Sequence, residues 1–532
     1  LVWGYTYSDG SILQDITMPT KTATSKASII YGATPSSLTQ TIREVAAKLE
    51  IKWDGNIWTE ETDYFLNAQG HERVNSVTKE FVASEVDFEL DNTTGRFSPE
   101  NTSSPIYAYL NTNIEVRVGV TIEGSYYRMF TGRIKSISPD RGGGVVNINC
   151  IDNTSLLIDK DCPRALYEDK RTDELILPLL QEEGIANYEL DQGDNVIAAA
   201  WFKDMKILPA ISKLCVAERG IAFFDRLGKF IFWNRTHLDK QASKVTLTID
   251  DVLTNLDLSV RDSDIKNSAV VKAKPRASSG VQVVWTNGNV PALNPYTDTL
   301  VWIPNHDQQV AYLEIEDPCT GWITPVADTD YTANTLVDGS GTDRTSDIKI
   351  GFTAYADACY ITVENHSNDD IYLTRFQIRA NPLKVWTWIK IVEKHETSIS
   401  LYGEREIEVE NDFITTESAA KEIASAIIRR AWEAKNKVGT QLIGLPNLIC
   451  GDVVTVEITD DDSKDYMIED INWELSERGF LETFKLVNPP VPATIQTIRA
   501  IGNIKGTINR TVAAKADIGR HYKTVTAKGE IS

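Results

Sequence analysis

"SEVDFELDNTTGRFSPENTSSPIYAYLNTNIEVRVGV", Ser84 to Val120, decides how this chain is read. Val86, Phe88 and Leu90 alternate with Glu85, Asp87 and Glu89, and after a polar loop the alternation resumes through Ile114, Val116, Val118, Val120 and Ile122. Period two is the mark of a strand with one buried face and one wet face. The loop between, Asp91 to Pro105, is long for a hairpin and carries Arg96-Phe97 at its middle. Gly95 is expected to supply a turn that a side chain would oppose, and Pro99 to end the strand-like path. Arg96-Phe97 is expected to pack or pair at a subunit edge.

Further on, "YRMFTGRIKSI" (127–137) and "VVNINCID" (145–152) alternate as well, with "RGGG" (141–144) as the turn between them. Four or five such strands predict a small barrel-like domain over 76–160. Residues 1–75 form a segment that is peripheral or binds a partner. There "SSLTQTIREVAAKLE" predicts a helix capped by Ser37, with Ile42, Val45 and Leu49 on one face. Over 161–260 the pattern is mixed α/β. "TDELILPLLQEEG" and "MKILPAISKLCVAERG" read as helices ending at glycines, and "IAFFDRLGKFIFW" as a hairpin turning at Asp225 to Lys229. Phe223, Phe230 and Phe232 are assigned to core. Residues 277–382 are strand-rich and read as an inserted β-sandwich. A second barrel-like domain takes 261–276 and 383–488, with a long helix over 416–436 capped by Thr416 or Ser418. Residues 489–532 open on the Pro-rich "NPPVPATIQTIR" and form a C-terminal extension. The fold class is mainly β with α+β parts: two small β-barrel-like domains, a mixed α/β domain and the inserted sandwich.

The 532 residues are 42% hydrophobic and 24% charged, ordinary for a globular chain. No apolar run approaches a membrane span, and no secretory signal is expected. The formal charge is −22, from 54 basic and 76 acidic residues, which argues against tight binding to a phosphate backbone. The six cysteines lie far apart with no CxxC pair, so neither zinc nor a disulfide framework is read. Cys319 and Cys359 fall together in the expected sandwich.

No catalytic constellation is present: the six histidines are scattered, and HExxH, GxSxG and Walker motifs are missing. Catalytic residues, cofactors and metals are therefore all expected to be none. "DTDYTANTLVDGSGTDRTSD" gathers Asp328, Asp330, Asp338 and Asp343, hard oxygens of the type calcium takes. It lacks the EF-hand pattern, and a solvated loop is the favoured reading. Trp285, Trp302 and Trp322 in the sandwich are core, or stack on sugar rings. Sequons at Asn92, Asn101, Asn153, Asn234, Asn365 and Asn509 are expected to be incidental.

These segments, taken together, resemble a family. The strand ending in "FELDNTTGRFSP", with Gly95, Arg96, Phe97 and Pro99, then "MFTGRIKSI" with Gly132, is similar to tail-tip and baseplate hub proteins of tailed bacteriophages. So is "SISLYGEREIEVEN" with Tyr402-Gly403 before an Ala-rich helix, and "LPNLICGDVVTVE" with Gly451-Asp452. The likeness covers roughly residues 77–160 and 395–487. It implies a virion structural protein without enzymatic activity: a homotrimeric ring joining the sixfold tail tube or distal tail protein to threefold tip proteins. Further implied partners are the tape-measure protein, a central spike or fibre, and phage DNA in transit without specific binding. Implied locations are the virion tail tip and, during assembly, the bacterial host cytoplasm. The second reading is a host-surface protein binding glycans through the inserted sandwich.

Overall fold

The computed structural model describes residues 44–489, except 76–78, 141, 143, 164, 249–256, 260–264, 287–301, 304–305, 433–436, 460–461 and 477–478, plus two short hairpins outside that span. The hairpins pair Val2–Trp3 with Ile16–Thr17, and Asp517–Ile518 with His521–Tyr522.

The first strand, β1 (Val45–Ile51), corrects the helix expected across 37–50. Val45, Ala47, Leu49 and Ile51 face the core, a period of two, and β1 pairs antiparallel along its whole length with the Val-rich strand Glu115–Ile122. Val45 and Leu49 fit a helix face and a strand face equally, and the available strand partner decides. The proposed cap Ser37 and Ile42 lie outside the described residues.

Next come β2 (Phe65–Arg73), β3 (Glu85–Asp91), β4 (Glu115–Ile122), β5 (Ser125–Asp140) and β6 (Val145–Asp152). The buried residues of β3 are Val86, Phe88 and Leu90, as the alternation requires. The path leaves β3 at Asp91, well before Pro99, because Asp91 and Asn92 start a turn: Thr93 N donates to Asp91 Oδ1 at 2.9 Å and Gly95 N to Asn92 O at 2.8 Å.

The mixed region contains β7 (Leu166–Arg171), α1 (Thr172–Glu182), β8 (Val196–Trp201), α2 (Ile207–Glu218) and the hairpin β9 (Ile221–Phe224) with β10 (Phe230–Trp233). The left-handed residue ending α2 is Arg219, at φ 64°, rather than the adjacent Gly220. Phe223, Phe230 and Phe232 are buried, as expected.

Further along, β11 (Ser268–Ala273) leads into the insert, which holds β12 (Gln308–Glu314), β13 (Ile348–Ala354), β14 (Ala358–Asn365) and β15 (Ile371–Val385). β15 collects five short strands into a six-stranded sheet, and β12-β14-β13 form a second sheet. Ala311, Leu313, Ile361 and Val363 of one sheet pack with Leu373, Phe376 and Ile378 of the other, a two-sheet sandwich.

After the insert come β16 (Ile389–Lys394), α3 (Glu396–Tyr402), β17 (Glu406–Asn411) and α4 (Glu417–Ala431), then β18 (Lys437–Ile443), β19 (Val453–Thr459), β20 (Asp462–Ser476) and β21 (Gly479–Val487). α4 ends at Ala431, short of the expected 436, and Thr416 is its cap, accepting from Ala419 N at 3.2 Å. β16-β11-β17 make a three-stranded sheet whose inner face shares a core with α1, α2 and α4.

The mainly β class with α+β parts holds. No closed barrel occurs among the described residues. β1–β6 and β18–β21 lie instead in one thirteen-stranded sheet, whose main path ends at Asp257–Ser259 on one side and Thr59–Glu60 on the other. β20 makes the join: its 15 residues pair with β19 at one end and, at the other, with both β21 and β2.

Candidate functional site

The Asp91–Pro105 loop is tied down within its own chain. Gly95 has φ +69°, the left-handed region that favours glycine, as expected. Asn92 fixes the turn from its side chain, accepting from Phe97 N at 2.9 Å and donating to Ser98 Oγ at 2.9 Å. Asn101 Nδ2 donates to Gly95 O at 2.9 Å. These are two of the sequon asparagines, and Asn92 is buried, as is Asn365.

Phe97 is fully buried, with Tyr64 edge-on at 5.3 Å and Trp53 at 6.1 Å. Arg96 forms a two-pronged pair with Glu61, at 3.0 and 2.6 Å, and lies over the Tyr64 ring. Glu61 is 1% exposed and also accepts from Trp53 Nε1 at 2.8 Å. The hydrogen bond to Glu61 holds the Arg96 guanidinium above its ordinary pKa. Arg96 and Phe97 are thus engaged inside the chain rather than offered at an edge, because Glu61 and the Trp53–Tyr64 pair give each a buried partner. Pro99 is exposed. Sequence reasoning missed Glu61, which sits in a Trp-rich stretch with no periodicity to mark it.

Gly132 and Gly451-Asp452 flank a second structural node. At Gly132 a Cβ would overlap the Ile151 carbonyl of the adjoining strand, so the β5–β6 pairing requires glycine. Gly451 has φ +95° and faces the Trp233 ring. Asp452 is buried: its Oδ2 accepts from Ile449 N at 3.0 Å and its Oδ1 meets Lys244 Nζ at 2.8 Å. Burial raises its carboxyl pKa against the pull of Lys244.

Between these glycines enters the tip of the β9–β10 hairpin, carrying Arg226. Its side chain is 4% exposed; Nε donates to Glu72 Oε1 at 2.7 Å, Nη1 to Pro446 O at 2.8 Å, and Nη2 lies 3.5 Å from Glu482 Oε1. Thr131 Oγ1 donates to Arg226 O at 2.8 Å, and Asn153 Nδ2 to Gly228 O at 2.9 Å. Arg226 therefore bolts the helical region to β2, β5 and β21 at once. Burial raises the carboxyl pKa of Glu72, opposed by Arg226, and lifts that of Asp152 to about 6. Both line a cavity of about 20 Å³ beside Asp225 and Arg226. The one advance sign was a basic residue in the turn of an otherwise aromatic hairpin.

The remaining positions stand apart. Tyr402 ends α3 half-exposed, and Gly403, at φ +75°, presents its carbonyl to Asn267 Nδ2 at 2.8 Å. Trp285 and Trp322 are partly buried against the sandwich core, and the side chain of Trp302 lies outside the described residues. Asp330 is buried and clamped by Arg379 at 2.7 and 2.8 Å, while Asp338 and Asp343 accept from Ser340 N and Thr345 N within their own turns. Cys319 and Cys359 are buried free thiols, each with its pKa pushed up by burial to about 12. Among the described residues, no three His, Cys, Asp or Glu side chains gather as a metal site would need.

No family model and no curated protein matches the chain. Solved structures that match include the 43 kDa tail protein of prophage MuSo2 from Shewanella oneidensis. It is 12% identical, with a TM-score of 0.46, over 84% of this chain and 97% of that one. The tail protein from Neisseria meningitidis MC58 is 10% identical, with a TM-score of 0.45, over 84% and 96%. The E. coli c3393 protein is described as a component of the type VI secretion system with structural similarity to T4 bacteriophage tail proteins gp27 and gp5. It is 10% identical, with a TM-score of 0.35, over 85% and 79%.

Proposed function

We propose that this chain is a non-enzymatic structural hub at the tip of a bacteriophage tail. Three copies form a ring that joins the tail tube or distal tail protein to threefold tip proteins and conducts DNA during ejection. The observation that carries this reading is the convergence at Arg226. Hub-like segments far apart in sequence, with Gly132 in one and Gly451-Asp452 in the other, enter one thirteen-stranded sheet and are locked by a single buried arginine. Such a frame keeps its shape under load, which a conduit needs.

The charge of −22 fits passage of DNA without capture, because acidic walls repel phosphates within a Debye length of about 8–10 Å. The tape-measure protein and a central spike or fibre are the further partners in this reading. Within it the frame and the helical region assemble the ring, and the sandwich serves for attachment.

Multi-angle light scattering on the purified full chain is expected to give the mass of three chains, with antibody labelling confined to the tail tip of particles. A stable monomer absent from particles overturns the proposal.

A further inference from the structure

The outer face of the β12-β14-β13 sheet bears three exposed tyrosines. Tyr312 of β12 and Tyr360 of β14 are directly opposed, and Tyr355, just beyond β13, pairs with Ala358 one step along the same face. They are 36%, 42% and 49% exposed. Directly opposed side chains on paired strands start about 5 Å apart, and diagonal ones about 7–8 Å. The three rings therefore form a run across the sheet. The residues between them, Ala311, Leu313 and Ile361, fill the sandwich core from the other face, so the tyrosines are not needed to build it.

We propose that this tyrosine face binds a neutral oligosaccharide or polysaccharide, the rings stacking against the apolar C–H faces of successive sugars. Thr353 and Thr362 lie on the same face within reach of sugar hydroxyls. The area favours this occupant over a second protein. Three strands about 4.8 Å apart and seven residues long, at about 3.4 Å per residue, give about 340 Å², against about 800 Å² per partner in a stable protein interface. Charge disfavours an anionic ligand: Lys349 on this face is paired with Glu364 at 3.2 Å, and the further charge there, the exposed Glu314 opposite Ala358, is itself an anion. The aromatic platform thus falls to tyrosines, while Trp285 and Trp322 face the core.

The test is native electrophoresis of the full chain through gels containing dextran, mixed-linkage β-glucan or galactomannan, with alginate as the anionic comparison. Retardation is expected in at least one neutral gel and not in alginate. It should weaken at least tenfold in Tyr312→Ala/Tyr360→Ala and stay within twofold in Tyr312→Phe/Tyr360→Phe, which keeps the rings. The substitutions lie on an exposed face, and an unchanged melting temperature verifies the fold. No retardation in any neutral gel overturns the proposal, as does retardation confined to alginate or undiminished in the alanine variant. A change in oligomeric mass on alanine substitution also overturns it, because the face would then be a contact between copies. None of these results bears on the hub reading, which the mass of the unaltered chain tests separately.

Discussion

Phe97 is placed by its partners rather than by its loop. A phenylalanine amid Ser, Pro, Asn and Thr reads as an exposed contact, but Asn92, Ser104 and Asn101 turn the loop so that the ring enters the core beside Trp53 and Tyr64. Phe97→Ala is therefore expected to destabilise the chain itself by about 3–5 kcal/mol, read as a lower urea midpoint. Any assembly defect then follows from unfolding. Normal chain stability combined with lost trimers would return Phe97 to a subunit interface. Arg96 obeys the same logic: with Glu61 almost fully buried, removing the guanidinium strands a carboxylate, which is far costlier than losing an exposed ion pair.

At the scale of elements, the hairpin tip and the strands around it enclose carboxyls whose pKa burial raises. Asp152 ends β6 and accepts from Thr154 N at 2.8 Å and Ser84 N at 2.7 Å, yet desolvation dominates and its pKa rises from 3.8 to about 6. Between those values the folded chain holds a proton that the unfolded chain has lost, so this group's contribution to stability falls as the pH rises. The change is on the order of 2–3 kcal/mol, at about 1.4 kcal/mol per pKa unit. Asp152→Asn is expected to remove that slope. Urea unfolding of both proteins at intervals from pH 4 to pH 7 should show the gap between them changing mainly below about pH 6; a constant gap would mean Asp152 ionises normally. β1 teaches a related lesson about elements. Its sequence suits either periodicity, and only the neighbouring β4 makes it a strand.

For the whole molecule, the sandwich joins the rest of the chain through one pair of strands, with Lys203 to Asp357 at 2.8 Å as a further tie. Arg276, Ala277 and Ser278 pair antiparallel with Val385, Lys384 and Leu383, so the insert leaves and returns at adjacent points. Replacing residues 279–382 by a short Gly-Ser linker is expected to leave the rest of the chain folded, because a short closure costs little entropy. Circular dichroism and a cooperative thermal transition check this, and loss of cooperativity would show that the sandwich supports the frame. Under the hub reading the deleted chain also keeps its trimeric mass.

The sequence by itself determined the elements whose signal is local. Strict alternation in β3 and β4, the 3.6-residue pattern of α4, the Asp225–Lys229 turn and the sandwich strands are all readable because their signal lies in local spacing and turn residues. Gly95 was legible as a turn from its place in a polar loop between two alternating runs. Only the tertiary structure decided that strands from both halves of the chain share one sheet, that Arg226 locks it, that Phe97 points inward, and that the exposed aromatic face is tyrosine. These outcomes depend on partners far away in sequence: Glu61 for Arg96, Glu72 and Glu482 for Arg226, and Tyr360 for Tyr312. Periodicity states which face of a strand is buried, but long-range pairing decides against what.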